Sequence, residues 1–351
     1  MIFLVYITIV ATLLATVLVF ALRPLAIRFK LVDKPSERKT HEGDVPLIGG
    51  PVIWLVVLTG ILAFIDNPPW STIWAATMLV ILGVVDDRWP VPASIKLIFH
   101  LAAATIVVLG ENLAISDIGI LPLIFGSHEL ATLHTALAII AIATAVNAFN
   151  MIDGIDGLAA SMALLALTHI NLSFNLILGS TPTDYATFAV LFSGALAGFL
   201  LFNLQVFNGR KIFLGDSGSM LVGLMIGTAL IGASQETTRF AGSPNIPATL
   251  CLWAIAIPIA DITSIVIRRL ISGRSPLAPD RKHLHHKIMD AGFSPRRTLL
   301  ILILSAVGAF WLGYGLTSRL NEMASFIGFI IFIPAYYVSV LHIGRVREYL
   351  R

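Results

Sequence analysis

Met1-Ile-Phe-Leu-Val-Tyr-Ile-Thr-Ile-Val-Ala-Thr-Leu-Leu-Ala-Thr-Val-Leu-Val-Phe-Ala-Leu22 carries no charged side chain, and the charges that follow are Arg23, Arg28 and Lys30. As a helix, a run of roughly 20 apolar residues matches the hydrocarbon core of a bilayer. It is too long for the apolar part of a signal peptide and has no basic residue before it, so it reads as a retained span that starts outside. The rest of the chain repeats the pattern. Of 351 residues 57% are hydrophobic and 12% charged, with a mean hydropathy of +0.89, which leaves no soluble domain. Cutting at Gly, Pro and charge clusters gives about eleven stretches of spanning length, near residues 1–22, 47–65, 71–85, 95–110, 134–150, 158–178, 185–207, 218–234, 248–270, 298–316 and 323–341. The predicted fold is an all-α polytopic integral membrane protein, one domain over residues 1–351, with the N-terminus outside and the C-terminus cytoplasmic.

Charge supports that orientation. With the N-terminus outside, only Arg239 and Arg319 among the interior Lys and Arg residues fall outside, and the others crowd the predicted cytoplasmic loops and span ends. Topology therefore accounts for the net charge of +3, and nucleic acid is not an expected partner. A single cysteine, Cys251, excludes an intramolecular disulfide and a thiolate-rich metal site. Pro258 removes a helix hydrogen bond inside the ninth stretch, which predicts a kink or break.

The polar motifs gather on one side. Asn147-Ala-Phe-Asn-Met-Ile-Asp-Gly-Ile-Asp-Gly157 closes an apolar helix with Asn147, Asn150 and Asp153 at positions that share a face, followed by Asp156. Ionisable groups at bilayer depth are costly unless they line a water- or ligand-filled cavity. Asp86-Asp87, Asn203, Asp216 and His283-Leu-His-His286 fall at cytoplasmic span ends too, the arrangement an active site fed from the cytosol requires. Asp86-Asp87 is either a solvated helix end or a catalytic pair that attracts a metal-bound phosphate or raises one pKa enough for acid/base work. Lys96 is either a membrane-edge anchor, a counter-charge to that acidic pair, or a phosphate ligand. Asp216, flanked by Gly215 and Gly218, is either a helix cap or a ligand for a hard cation beside a phosphate. His283, His285 and His286 lie among Arg281, Lys282 and Lys287, a cationic setting that suits a diphosphate clamp better than a zinc cage. Asp261 is either a paired helix residue or a further wall of the site. For His100, His128, His134 and His169 a packed or interfacial role is the simpler reading.

Taken in order, Val84-Val-Asp-Asp, the Asn147–Gly157 segment, Phe213-Leu-Gly-Asp-Ser-Gly-Ser and Pro279-Asp-Arg-Lys-His-Leu-His-His strongly resemble the polyprenyl-phosphate N-acetylhexosamine-1-phosphate transferases. Leu31-Val-Asp-Lys-Pro and Pro46-Leu-Ile-Gly-Gly extend the match to nearly the whole chain, and the histidine segment is similar to the WecA-type branch that uses UDP-GlcNAc and undecaprenyl phosphate. The resemblance implies an enzyme that transfers GlcNAc-1-phosphate to undecaprenyl phosphate and releases UMP, at the cytoplasmic side of the inner membrane, as the first step of a lipid-linked polysaccharide such as O-antigen. It implies Mg²⁺, with Mn²⁺ as a substitute, on Asp216. Asp86 and Asp87 match the acidic pair at the lipid-phosphate end. Asn150, Asp153 and Asp156 match the nucleotide-sugar wall, and Phe213 the position that contacts uracil. The three histidines match the cluster near the diphosphate. Asn203 is a weaker transfer, and the basic residue before Pro46 is left between Lys39 and His41. The active-site loops would be 23–46, 86–95, 151–157, 208–217 and 271–297, and a homodimer is the assembly to test. The rival donors are another UDP-N-acetylhexosamine, either a 6-deoxy sugar or UDP-MurNAc-pentapeptide. The rival class is a secondary transporter, which would place its acids near midplane.

Overall fold

The computed structural model describes residues 2–33, 43–116, 118, 131–179, 183–207, 209–235, 245–273, 275 and 283–342. Its long helices are α1 (Ile2–Arg28), α2 (Gly49–Phe64), α3 (Trp70–Arg88), α4 (Ala93–Gly110), α5 (Ala131–Ile152), α6 (Leu158–Ser173), α7 (Thr183–Asn203) and α8 (Gly215–Ser234). A short α9 (Ala248–Ala254) meets α10 (Ala256–Ile271) at a bend of 78°. The seven-residue α11 (Leu284–Asp290), α12 (Pro295–Arg319) and α13 (Glu322–Leu341) complete the helices, and a π-helical turn, Phe174–Leu178, prolongs α6. Among the described residues the only sheet is the two-residue pair β1 (Val32–Asp33) and β2 (Val45–Pro46).

Among the described residues nine helices are long and apolar enough to cross a membrane, or ten if the bent α9–α10 pair is one span. The remaining stretch, expected as a span over residues 47–65, forms α2, whose 16 residues rise only about 24 Å. The described residues thus hold nine to ten helices of spanning length plus one short apolar helix.

α8 is the central helix: 78% of its apolar window is buried, against 22% for α1. It packs on α2, α3, α5 and α6. Without water to drive apolar faces together, helices in lipid pack where small residues allow backbones to approach. Gly223 lies so close to Val146 of α5 that an added Cβ would stand 2.5 Å from its Cα. On the periphery, Gly194 and Gly198 of α7 face Thr12, Ala11 and Ala15 of α1, and Thr12 Oγ1 donates to the Gly194 carbonyl at 3.1 Å.

The break in the ninth stretch falls at Ile255, three residues before Pro258. Proline has no N–H to offer the carbonyl four residues earlier, which is that of Ala254. The buried His169 of α6 hydrogen-bonds that carbonyl and stacks on Phe310 at a ring separation of 4.1 Å. Trp253 anchors the short half, its Nε1 donating to Ser325 Oγ at 3.1 Å.

Candidate active site

The head of α8 is built by strand-like pairing. Phe213 N donates to the Pro46 carbonyl at 2.9 Å, and Gly49 N and Gly50 N donate to the carbonyls of Phe213 and Leu214 at 3.0 and 3.1 Å. Side chains at Gly50 or Gly83 would run into the backbone around Ser217, so α2 and α3 close directly on this turn. Gly215 takes a φ of +73°, a left-handed conformation that glycine adopts without strain.

Asp87, at the end of α3, caps α8 from outside. Its Oδ1 accepts from Asp216 N at 2.8 Å, while its Oδ2 accepts from Ser217 Oγ at 3.1 Å and from Ser217 N at 3.4 Å. A carboxylate at a helix N-terminus satisfies orphan donors and the positive end of the dipole together. Asp86 turns the other way: Val91 N donates to it at 2.6 Å and Lys96 Nζ at 2.7 Å. Lys96 also reaches Asp216 Oδ2 at 3.2 Å, while Asn150 Nδ2 donates to Asp216 Oδ1 and to Ser219 Oγ, both at 2.9 Å. The Asp86 side chain is 5% exposed and that of Asp216 37%, so Asp216 is the carboxylate that a ligand can reach.

Asp153 and Asp156 lie in the loop between α5 and α6. Burial, together with the carboxyls of Asp216, Asp87 and Asp156, holds Asp153 well above the usual carboxylate range. Lys211 Nζ pairs with Asp156 Oδ2 at 2.6 Å and lies 4.8 Å from the centre of the Phe213 ring. In the same loop a side chain at Gly154 would strike the ring of His285, so the histidine helix α11 seats against the aspartate loop. His285 is buried, and neither ring nitrogen has a hydrogen-bond partner among the described residues. Burial beside His286 and His283 pushes its imidazole down to about 3, so it is neutral at physiological pH and offers hydrogen bonds rather than charge. The rings of His285 and His286 are 4.2 Å apart. His283 Nδ1 lies 2.9 Å from Asp261 Oδ2, which makes Asp261 a paired residue.

The structure thus brings together Asp86, Asp87, Lys96, Asn150 and Asp216, with Asp153 in their field, and sets the histidines against the Asp153–Asp156 loop. Asn147 and Asn203 are engaged locally. Asn147 Nδ2 donates to Ala143 O in its own helix, and Asn203 Nδ2 donates to the Ile212 carbonyl at 2.9 Å, bracing the loop that leads to Phe213. Lys39, His41, Arg281 and Lys282 lie outside the described residues. Lys211 is a residue of this site that does not stand out in the sequence from the other lysines and arginines at span ends. Its position two residues before Phe213, on an extended segment, places both side chains on one face and could have marked it. Among the described residues no three His, Cys, Asp or Glu side chains are gathered to hold a metal ion.

A helical bundle of membrane-spanning length with a carboxylate-rich, glycine-lined site at one end defines a polytopic membrane protein with a polar site. The model of the family described as "Glycosyl transferase family 4" matches residues 69–234, the stretch from the start of α3 to the end of α8 that supplies the carboxylates. The chain is 31% identical over 348 residues to an undecaprenyl-phosphate alpha-N-acetylglucosaminyl 1-phosphate transferase of Salmonella typhi, covering 97% of this chain and 90% of the relative. Relatives of the same name from Haemophilus influenzae and Pasteurella multocida are each 34% identical over 337 and 335 residues, covering 94% of this chain and 92% and 91% of their own lengths. The chain belongs to glycosyl transferase family 4, alongside these transferases.

Proposed function

We propose that this protein transfers GlcNAc-1-phosphate from UDP-GlcNAc to undecaprenyl phosphate at the cytoplasmic face of the inner membrane, giving undecaprenyl-diphospho-GlcNAc and UMP and so starting a lipid-linked polysaccharide such as O-antigen. The observation that carries it is the partly exposed Asp216, held between Lys96 and Asn150 at the head of a glycine-lined helix, in a chain whose relatives bear that transferase name. The acids meet at one end of the bundle, which speaks against a transporter.

The reading implies Mg²⁺, or Mn²⁺ in its place. Asp86, Asp87, Asp153, Asp156 and Asp216 lie at the end of α3, in the loop after α5 and at the head of α8; with Asp87 engaged at the α8 cap, Asp86 on Lys96 and Asp156 on Lys211, the partly exposed Asp216 is the oxygen donor that best fits a hard dication. Asp216 would hold it, with Asp153, whose carboxyl feels that of Asp216, as a candidate to assist. Mg²⁺ commonly takes one or two carboxylates and completes its shell with phosphate and water. Bound there, it would neutralise charge on the donor's diphosphate.

The chain's own residues supply alignment. Phe213, with Lys211 beside it, offers a face for the base, and His285 offers neutral hydrogen bonding at the Asp153–Gly157 loop. Asp86 holds Lys96 where its ammonium can attract a phosphate. A lipid phosphate oxygen attacks the sugar-bearing phosphorus and the bond to UMP breaks. A phosphate monoester with a second pKa of about 6 is largely dianionic at neutral pH, so no strong base is needed. Single displacement then suffices, and proximity and charge neutralisation do most of the work.

The test is UMP release by detergent-purified protein given UDP-GlcNAc, undecaprenyl phosphate and Mg²⁺, run beside UDP-MurNAc-pentapeptide and a 6-deoxy UDP-N-acetylhexosamine. The expected result is equimolar UMP and lipid-linked GlcNAc with UDP-GlcNAc. Faster turnover of another donor would reassign the sugar, and no UMP from any donor would end the reading.

A further inference from the structure

We infer that Asp261 is a positioning residue for this transfer: from the tilted half of the broken helix its carboxylate fixes the ring of His283 and the start of the histidine helix, and through them the face that the histidines present to the donor. The inference rests on the transferase reading. It concerns a residue outside the 69–234 stretch that the family model matches.

Asp261 is 1% exposed, a depth at which an acid is costly unless both oxygens are partnered. Both are. Oδ2 stands 2.9 Å from His283 Nδ1, and Oδ1 accepts from Leu284 N at 2.8 Å. His283 occupies the N-cap position of α11 in an extended conformation (φ −62°, ψ 156°), and its own side chain makes no cap bond to that helix. A helix of seven residues is marginal by itself, and its first N–H groups need acceptors from elsewhere. Asp261 provides one, and its charge lies at the favourable end of the helix dipole. The same carboxylate sets the imidazole. With Nδ1–H donated to Asp261, Nε2 is the ring atom left for a second partner, as an acceptor when the ring is neutral and a donor when it is protonated.

Direct catalysis is not its role, because at 1% exposure its oxygens are out of reach of substrate. Its place is fixed by the 78° bend, since α10 runs from Ile255 to Asp261 in under two turns and packs on α5, α12 and α13. The bend, the acid and the histidine form one mechanical path. His285, two residues on, rests against Gly154, so a shift at His283 would be felt at the Asp153–Asp156 loop.

The experiment is a kinetic double-mutant cycle with Asp261→Asn and His283→Ala, backed by Asp261→Ala and by thermal unfolding of each variant. Asp261→Asn keeps an oxygen for Leu284 N but turns an amide N–H toward Nδ1, forcing the other tautomer. We expect it to unfold near the wild-type temperature and to lower kcat/KM for UDP-GlcNAc by about tenfold, with the KM for undecaprenyl phosphate unchanged. In the His283→Ala background it should cost less than about twofold, because its effect runs through the missing ring. An equal loss in both backgrounds, or a loss that tracks unfolding temperature, would show a merely structural acid and overturn the inference. Full activity of Asp261→Asn would overturn it as well. Wild-type protein that fails with every donor would instead strike the transferase reading.

Discussion

A methyl group added at Gly83 would meet the backbone of Ser217, where Asp87 caps α8 and Asp216 begins it. Replacing Gly83 with alanine should therefore push α3 from α8, costing about 1–3 kcal/mol of stability. Because a misplacement of about 1 Å can cost a hundredfold, transfer should fall at least tenfold. Gly308 of α12 has nothing within 4 Å of the corresponding position, so Gly308→Ala is the control, and thermal unfolding with UMP release separates the two. Asp153 gives a pH test. Its carboxyl is raised in the folded protein, so the folded state holds that proton more tightly than the unfolded chain; the stability this lends is complete at acid pH and lost as pH rises through the folded value. A dication favours the ionised form. Thermal protection by Mg²⁺ should thus grow with pH, and Asp153→Asn should flatten that growth; protection independent of pH would separate Asp153 from the cation. The motif spacing made Asp86, Asp87, Asn150 and Asp216 legible as a set. That Asp87 is spent on a helix cap, and that Lys96 bridges Asp86 and Asp216, follows from which helices are neighbours, which spacing does not encode.

Pro258 was readable as a break because the missing hydrogen bond is a property of the residue itself. The companion to that break was not. His169 lies 85 or more residues earlier in the chain and looks like any histidine in an apolar helix, yet it takes over the Ala254 carbonyl that Pro258 leaves unpaired. His169→Phe keeps the stacking on Phe310 and loses the donor, so it should cost about 1–3 kcal/mol, the penalty for a buried unsatisfied group. Pro258→Ala restores an N–H that can reach Ala254. In that background His169→Phe should cost clearly less by thermal unfolding, and equal costs would mean that His169 does not serve this carbonyl. α2 shows a different limit of sequence reading: its start is fixed by pairing of Gly49 and Gly50 with Phe213 and Leu214, a long-range contact invisible to hydropathy, and it ends up too short to count as a full span.

For the molecule as a whole, hydropathy located nearly every helix but not its depth in the bundle. α1 is the most apolar span and among the least buried, while the central α8 is rich in Gly and Ser, because lipid solvates apolar side chains and close packing selects small ones. Orientation comes from charge instead. Arg23, whose Nη2 donates to the Gly209 carbonyl at 3.4 Å, ties the end of α1 to the loop before α8, at the same end as Lys96 and Lys211. On the Lys and Arg bias we propose that this end faces the cytoplasm. The buried Cys251 is the only native thiol, so introduced cysteines can be read against a low background. Asp66, between α2 and α3 at the far end, and Asp290, at the end of the histidine helix, are both exposed. An impermeant maleimide should label Asp66→Cys in right-side-out vesicles and Asp290→Cys only in inside-out ones. The reverse pattern would put the carboxylate cleft on the outer face, away from any cytosolic UDP-sugar, and the proposed reaction could not be fed.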